Sequence, residues 1–143
     1  MYSRIVVGSD GSETAAHAVA RAGELAKVCG ASLHIVCGCG TPVVADASMM
    51  AVPVALTNET VGQFEEVLEQ QAAPLRAEGI DTTVHVETES GSEALLAYAE
   101  EISADLIVVG SQGMSGKRRF ILGSVPNAVS HHATCSVLIV RTG

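Results

Sequence analysis

Leu106-Ile107-Val108-Val109-Gly110-Ser111-Gln112-Gly113-Met114-Ser115-Gly116-Lys117-Arg118-Arg119-Phe120-Ile121-Leu122-Gly123-Ser124 is the stretch whose reading decides the fold. It opens on four apolar residues in a row. Such a run, bounded by glycine, reads as a strand buried on both faces, which is the habit of parallel sheets. A glycine-rich, basic segment follows. Ser124 is read as the cap of a last helix, with Pro126 tolerated in its first turn. A buried strand, a glycine loop and a helix in succession form the repeating unit of an α/β sheet.

Working outward, the same unit recurs. Ile5-Val6-Val7 ends in Gly8 and reads as a first strand. Asp10 and Ser12 are candidate caps for a helix whose apolar positions are Ala15, Ala18, Val19, Ala22, Leu25, Ala26 and Cys29, stopped by Gly30. Leu33 to Cys37 is a second strand. Residues 38–57 hold Gly38, Gly40, Pro42 and Pro53 with one charge, at Asp46, and read either as a lid or binding loop or as an excursion without structure. Val61, Phe64, Leu68 and Leu75 mark a helix from Asn58 to Glu78, closed by Gly79, in which Pro74 is expected to make a kink or a split. Thr83 to Glu87 alternates polar and apolar as a half-exposed strand does. Ser92 is read as the cap of a third helix carrying Leu95, Tyr98, Ala99 and Ile102, and Val137 to Val140 is a fifth strand. Alternating strands and helices over 143 residues predict one doubly wound α/β domain, residues 1–143.

Composition narrows the function. The chain is 48% apolar yet has only two Tyr, two Phe and no Trp, so the core is built from Val, Ile, Leu and Ala. A net charge of −8 argues against nucleic acid and anionic membrane as partners. No apolar run approaches the ~20 residues of a spanning helix. Nothing resembles a signal peptide, and the expectation is a soluble, cytoplasmic protein. Cys29, Cys37, Cys39 and Cys135 are then reduced, and Cys37-Gly-Cys39 lacks the spacing of a zinc knuckle. His17, His34, His85, His131 and His132 read as structural or solvated, with no metal site expected.

The chemistry lies in 110–124. Ligands of open α/β sheets bind beyond the carboxyl ends of the strands. Glycines let the backbone approach a ligand closely. A helix N-terminus adds unpaired amides and a positive dipole end, which favour phosphate. Three of the eight Lys and Arg residues, Lys117, Arg118 and Arg119, are consecutive here. A P-loop is excluded, because five residues separate Gly110 from Gly116-Lys117 and Arg118 stands where a hydroxyl is needed. No G-x-G-x-x-G follows the first strand. Kinase and dehydrogenase chemistries lose their support. No catalytic constellation is visible, and Asp10 is read as a ribose contact, a magnesium ligand or a helix cap.

Gly110-x2-Gly113-x9-Gly123-Ser124 resembles the ATP-binding signature of the universal stress protein family. Ile5-Val6-Val7-Gly8-Ser9-Asp10-Gly11-Ser12 is similar to that family's opening strand and turn, and Cys135-Ser-Val-Leu-Ile-Val-Arg141 to its closing strand. The resemblance implies a flavodoxin/Rossmann-like three-layer sandwich with a five-stranded parallel sheet of order 3-2-1-4-5. It implies an adenine nucleotide across the strand ends, with Asp10 near adenine and ribose, Val109 against the nucleoside, and Gly110 and Gly113 along sugar and phosphates. Gly123, Ser124 and Val125 would cradle the phosphates. The full candidate set is Gly8, Ser9, Asp10, Gly38, Val109, Gly110, Gly113, Gly116, Lys117, Arg118, Gly123, Ser124, Val125 and Pro126. The family often ends its second strand in His-Val, whose Val backbone meets the adenine; Cys37-Gly38 stands there in this chain and offers a smaller apolar wall. ATP, with Mg2+ able to accompany it, is the ligand implied first. Gly123-Ser124-Val125-Pro126 resembles a segment of members that prefer cyclic AMP, which makes cyclic AMP the alternative. The resemblance implies a binding protein and stress-response regulator with at most slow ATP hydrolysis. A ligand-free interaction module working through residues 41–56 is the competing class. In the order 3-2-1-4-5 the last strand is an edge, and its unbroken apolar run Val137, Leu138, Ile139 and Val140 predicts a homodimer in which the last strands of two chains meet.

Overall fold

The computed structural model describes residues 1–40, 58–111 and 122–142. The elements follow as β1 (Arg4–Gly8), α1 (Glu13–Cys29), β2 (Ser32–Gly38), α2 (Asn58–Ala77), β3 (Thr82–Glu87), α3 (Gly91–Glu101), β4 (Leu106–Gly110), α4 (Ser124–His132) and β5 (Ser136–Val140). All four strand pairings are parallel, and the order is β3-β2-β1-β4-β5. The expected fold class is the one observed.

The sheet is central because its inner strands are apolar on both faces. Ile5, Val6 and Val7 of β1 are completely buried. Ile5, Val7, Leu33, Ile35, Leu106 and Val108 point to one face, where they pack with Ala18, Ala22 and Ala26 of α1 and Leu68, Ala72 and Leu75 of α2. Val6, Val36, Ile107 and Val109 point to the other, against Ala94, Leu95, Tyr98 and Ala99 of α3 and Val129 of α4. The two edges differ from this pattern. Ser136 of β5 is exposed, Leu138 is 36% exposed, and Val137, Ile139 and Val140 are half-buried.

Local chemistry sets the helix ends. Ser12 caps α1 by accepting from the Ala15 amide, and Gly30 ends it in the left-handed conformation. Asp10 is not that cap; its carboxylate accepts from the Ser12 amide at 2.9 Å. Two expected caps shift. The cap of α3 is Ser90, not Ser92, and the cap of α4 is Gly123, with Ser124 as the first helical residue. Nor does Pro74 split α2, which runs unbroken from Asn58 to Ala77. The proline falls in the last turn, where its missing amide removes one bond near an end that frays in any case. An exposed ion pair between Glu69 and Arg76 spans the proline, and Arg76 Nε also donates to Thr82 O at 2.9 Å. Gly79, at φ +84°, then turns the chain toward β3.

The sheet order places a switch between β1 and β4. Chain leaving β1 goes toward β2, while β4 is laid on its other side. The crevice outside the carboxyl ends of such neighbouring strands is where open α/β sheets hold ligands.

Candidate functional site

A cavity of about 160 Å³ opens at this crevice, lined by Gly8, Ser9, Asp10, Ser12, Ala15, Val36, Gly38, Gly91, Leu95, Val109, Gly110, Gly123, Ser124, Val125 and Pro126. It brings together ten of the residues singled out in the sequence: Gly8, Ser9, Asp10, Gly38, Val109, Gly110, Gly123, Ser124, Val125 and Pro126. Gly113, Gly116, Lys117 and Arg118 lie outside the described residues, as does the stretch 41–57. Ser12, Ala15, Val36, Gly91 and Leu95 were missed. Leu95 and Val36 carry no signal beyond that of core residues. Gly91 could have been found, because it follows β3 at the same end of the sheet.

Three turns build the walls. In the first, between β1 and α1, Ser9 N donates to Val36 O at 3.0 Å, and Gly11 N donates to Ser9 Oγ at 3.1 Å. Ser9 is 7% exposed, and its hydroxyl donates to Gln71 Oε1 of α2 at 2.8 Å. That hydroxyl is therefore committed inside the protein, while Ser9 itself still lines the cavity. Asp10, held between these two anchored residues, is exposed at the cavity.

In the second, the turn from β3 to α3 lies against the end of β2. Cys39 N donates to Glu87 O at 2.9 Å and Gly40 N to Glu89 O at 3.0 Å, continuing the β2–β3 ladder. A Cβ on Gly38 would stand 2.6 Å from Ser90 O and 2.8 Å from Glu89 O, so only glycine admits this turn where it sits. The smaller apolar wall expected at Cys37-Gly38 is thus filled by main chain. Cys37 itself faces the opposite core, and burial first, then the neighbouring Cys39 and Asp10, pushes its thiol up to about 12. It is inert rather than reactive.

In the third, Gly123 N donates to Ser111 O at 2.9 Å, and Ser111 N to Val140 O at 2.7 Å. The two ends of the 110–123 segment are so pinned together on the sheet. Gly123 makes no side-chain cap bond, and the first described amide bond of α4 runs from Asn127 N to Gly123 O at 3.1 Å. Pro126 has no amide to offer. Ser124 and Val125 are then the amides that α4 presents at the cavity, at the positive end of its dipole. Asp10 is the one charged side chain among the described residues of the lining. Among the described residues, no three His, Cys, Asp or Glu side chains cluster to hold a metal ion, and no helix is long and apolar enough to cross a membrane.

Comparison with known proteins agrees with this architecture. The description of the universal stress protein family matches residues 1–141. Universal stress protein YxiE of Bacillus subtilis (strain 168) is 34% identical over 149 residues, covering 99% of this chain and 100% of that one. A universal stress protein whose crystal structure is a complex with cAMP is 31% identical, covers 99% of this chain and 98% of its own, and superposes with a TM-score of 0.74. Universal stress protein UspA from Lactobacillus plantarum, 22% identical over 98% of each chain, shares the fold with a TM-score of 0.82. The family match over nearly the whole length and the identity to YxiE establish that the chain belongs to the universal stress protein family.

Proposed function

We propose that this chain, one universal stress protein domain over residues 1–143, binds an adenine nucleotide in the cavity at the β1–β4 switch and works as a nucleotide-responsive regulator. The observation that carries the reading is the pairing of two unlike ends in one cavity. At one end the Ser124 and Val125 amides stand at a helix N-terminus whose cap residue, Gly123, has no side chain, a setting that favours a phosphate. At the other, Asp10 offers a carboxylate suited to a ribose diol, with Val36, Leu95 and Val109 as apolar neighbours. Gly8, Gly38 and Gly110 keep the intervening wall free of side chains. Gly113, Gly116, Lys117 and Arg118, which lie outside the described residues, complete the proposed set of ligand-binding residues.

ATP is the ligand proposed first, with Mg2+ able to accompany its phosphates. Cyclic AMP is the second reading, favoured by the cAMP complex of a relative 31% identical to this chain and by the Gly123-Ser124-Val125-Pro126 segment. Asp10 as the lone charge of the described lining also suits a ligand of low charge. Isothermal titration with ATP, ADP, AMP and cyclic AMP tests both, and no heat with any of the four overturns the reading in favour of a ligand-free interaction module. The protein is a binder, not an efficient enzyme; ATP turnover near or above about 1 per second, within the ordinary range of enzymes, overturns that statement.

The working unit is a homodimer joined through Val137, Leu138, Ile139 and Val140 of the β5 edge, where Leu138 is 36% exposed. A monomer by light scattering at micromolar concentration overturns it. The site of action is the cytoplasm, where the four free cysteines stay reduced.

A further inference from the structure

We infer that Gln71 of α2 is a positioning residue for Asp10, so that a helix outside the cavity sets how well the cavity distinguishes a ligand with a free ribose diol. The inference rests on the nucleotide reading above for its ligand, but its geometry stands independently. Ser9 and Thr82 are the buried polar residues of the described core. A buried hydroxyl needs an acceptor, and Ser9 finds it in Gln71 Oε1 at 2.8 Å, on an element 62 residues away in sequence. Ser9 Oγ in turn accepts from Gly11 N at 3.1 Å, while Ser9 N is tied to Val36 O. α2 touches the turn at a second point one helical turn earlier. A Cβ on Gly11, whose φ is +81°, would lie 2.8 Å from Val67 Cγ1. Val67 and Gln71, four apart on one helix face, thus hold Gly11 and Ser9. Asp10 lies between them and adds its own bond from Ser12 N.

Gln71 does not line the cavity. Its loss leaves a buried hydroxyl without an acceptor, and the turn relaxes toward water to satisfy it. The Asp10 carboxylate then loses its single orientation. The amides of Ser124 and Val125 belong to another element on the other side of the crevice and are not disturbed. The expected signature is selective: the diol end weakens and the phosphate end does not.

The test compares ATP with 2′,3′-dideoxy-ATP by calorimetric titration of the full chain. Gln71→Met keeps the length of the side chain and removes the acceptor. It should lower ATP affinity by roughly fivefold to tenfold, the effect of one lost hydrogen bond, and change dideoxy-ATP affinity less than twofold. Gln71→Glu keeps an acceptor and should retain the wild-type ratio between the two ligands, because its added charge acts on both. Ser9→Ala should reproduce the Gln71→Met ratio, and the double variant should be no worse. An unchanged ratio in Gln71→Met overturns the inference. Amide exchange at Gly11, followed by NMR without ligand, separates this from failure of the nucleotide reading. If no protein binds ATP but Gly11 exchanges at least tenfold faster in Gln71→Met than in wild type, the nucleotide reading falls and the positioning role stands. Equal exchange in both overturns the positioning role.

Discussion

Replacing Gly38 with alanine adds one methyl group at the most crowded part of the cavity wall. Gly38 is not in the left-handed region, so alanine meets no backbone penalty there; the cost is contact. The new Cβ would stand 2.6 Å from Ser90 O, 2.7 Å from Ser90 C and 2.8 Å from Glu89 O, all main-chain atoms that cannot rotate away. Ordinary contact begins at 3.4 Å. The β3–α3 turn must therefore retreat by roughly 0.8 Å, and overpacking of this kind costs about 1–3 kcal/mol. Ser90 O also accepts the first bond of α3, from Ala94 N at 2.8 Å. The retreat consequently drags the first turn of α3, and with it Gly91 and Leu95 of the cavity. At about 3 °C per kcal/mol for a chain of this size, thermal unfolding should shift down by about 3–9 °C. Melting followed by circular dichroism, with urea unfolding to show an unchanged m-value, measures it. Nucleotide affinity should fall as well, because the wall moves. A melting temperature equal to or above that of wild type refutes the claim that this turn packs on Gly38.

Gly62, inside α2 with nothing within 4 Å of its would-be Cβ, is the opposite case: Gly62→Ala should raise stability by about 0.5–1 kcal/mol in the same urea assay. Ser124→Ala should separate binding from folding. Ser124 is the first helical residue and not the cap, so the melting temperature should hold within about 1 °C, while nucleotide affinity drops roughly fivefold to tenfold. The third effect concerns pH. The His34 ring stands 3.0 Å from Tyr98 Oη and 2.8 Å from Thr83 Oγ1, and Tyr98 Oη is 2.6 Å from His85 Nε2. Burial first, then the facing His85 and Arg4, lower the pKa of His34 against the opposing pull of Asp81. The unfolded chain therefore binds the proton more readily. The contribution of a neutral His34 is present above about pH 6.5 and is lost as pH falls through its lower folded value. Melting temperature should fall between pH 7.5 and 5, and His34→Gln should flatten that fall; an equally steep fall in the variant removes His34 as its cause.

How much of this was legible in the sequence follows from what each feature depends on. The inner strands were legible because burial on both faces leaves an unbroken apolar run, as in Leu106–Val109 and Ile5–Val7. The helix caps were less so. Ser90 and Ser92 are chemically equal candidates, and Gly123 and Ser124 nearly so; the choice between Ser90 and Ser92 comes from the contact of the β3–α3 turn with Gly38 and Gly40, some 50 residues earlier. The cavity shows the same division. Its polar and glycine residues could be picked out along the chain, since glycine loops and helix starts announce themselves. Val36, Ala15 and Leu95 could not, because a core residue and a cavity-lining residue are the same residue type until tertiary packing separates them. Gly38 shows why the difference matters. Read alone, a glycine in place of a branched residue weakens a wall. In the folded chain that vacancy is the space into which Glu89 and Ser90 bring their carbonyls, so the wall is present but made of main chain. A larger side chain at 38 would not restore an apolar surface to the cavity; it would displace the turn that now forms one. The composition of a wall is thus a property of two segments together, and a substitution in either must be judged against the other.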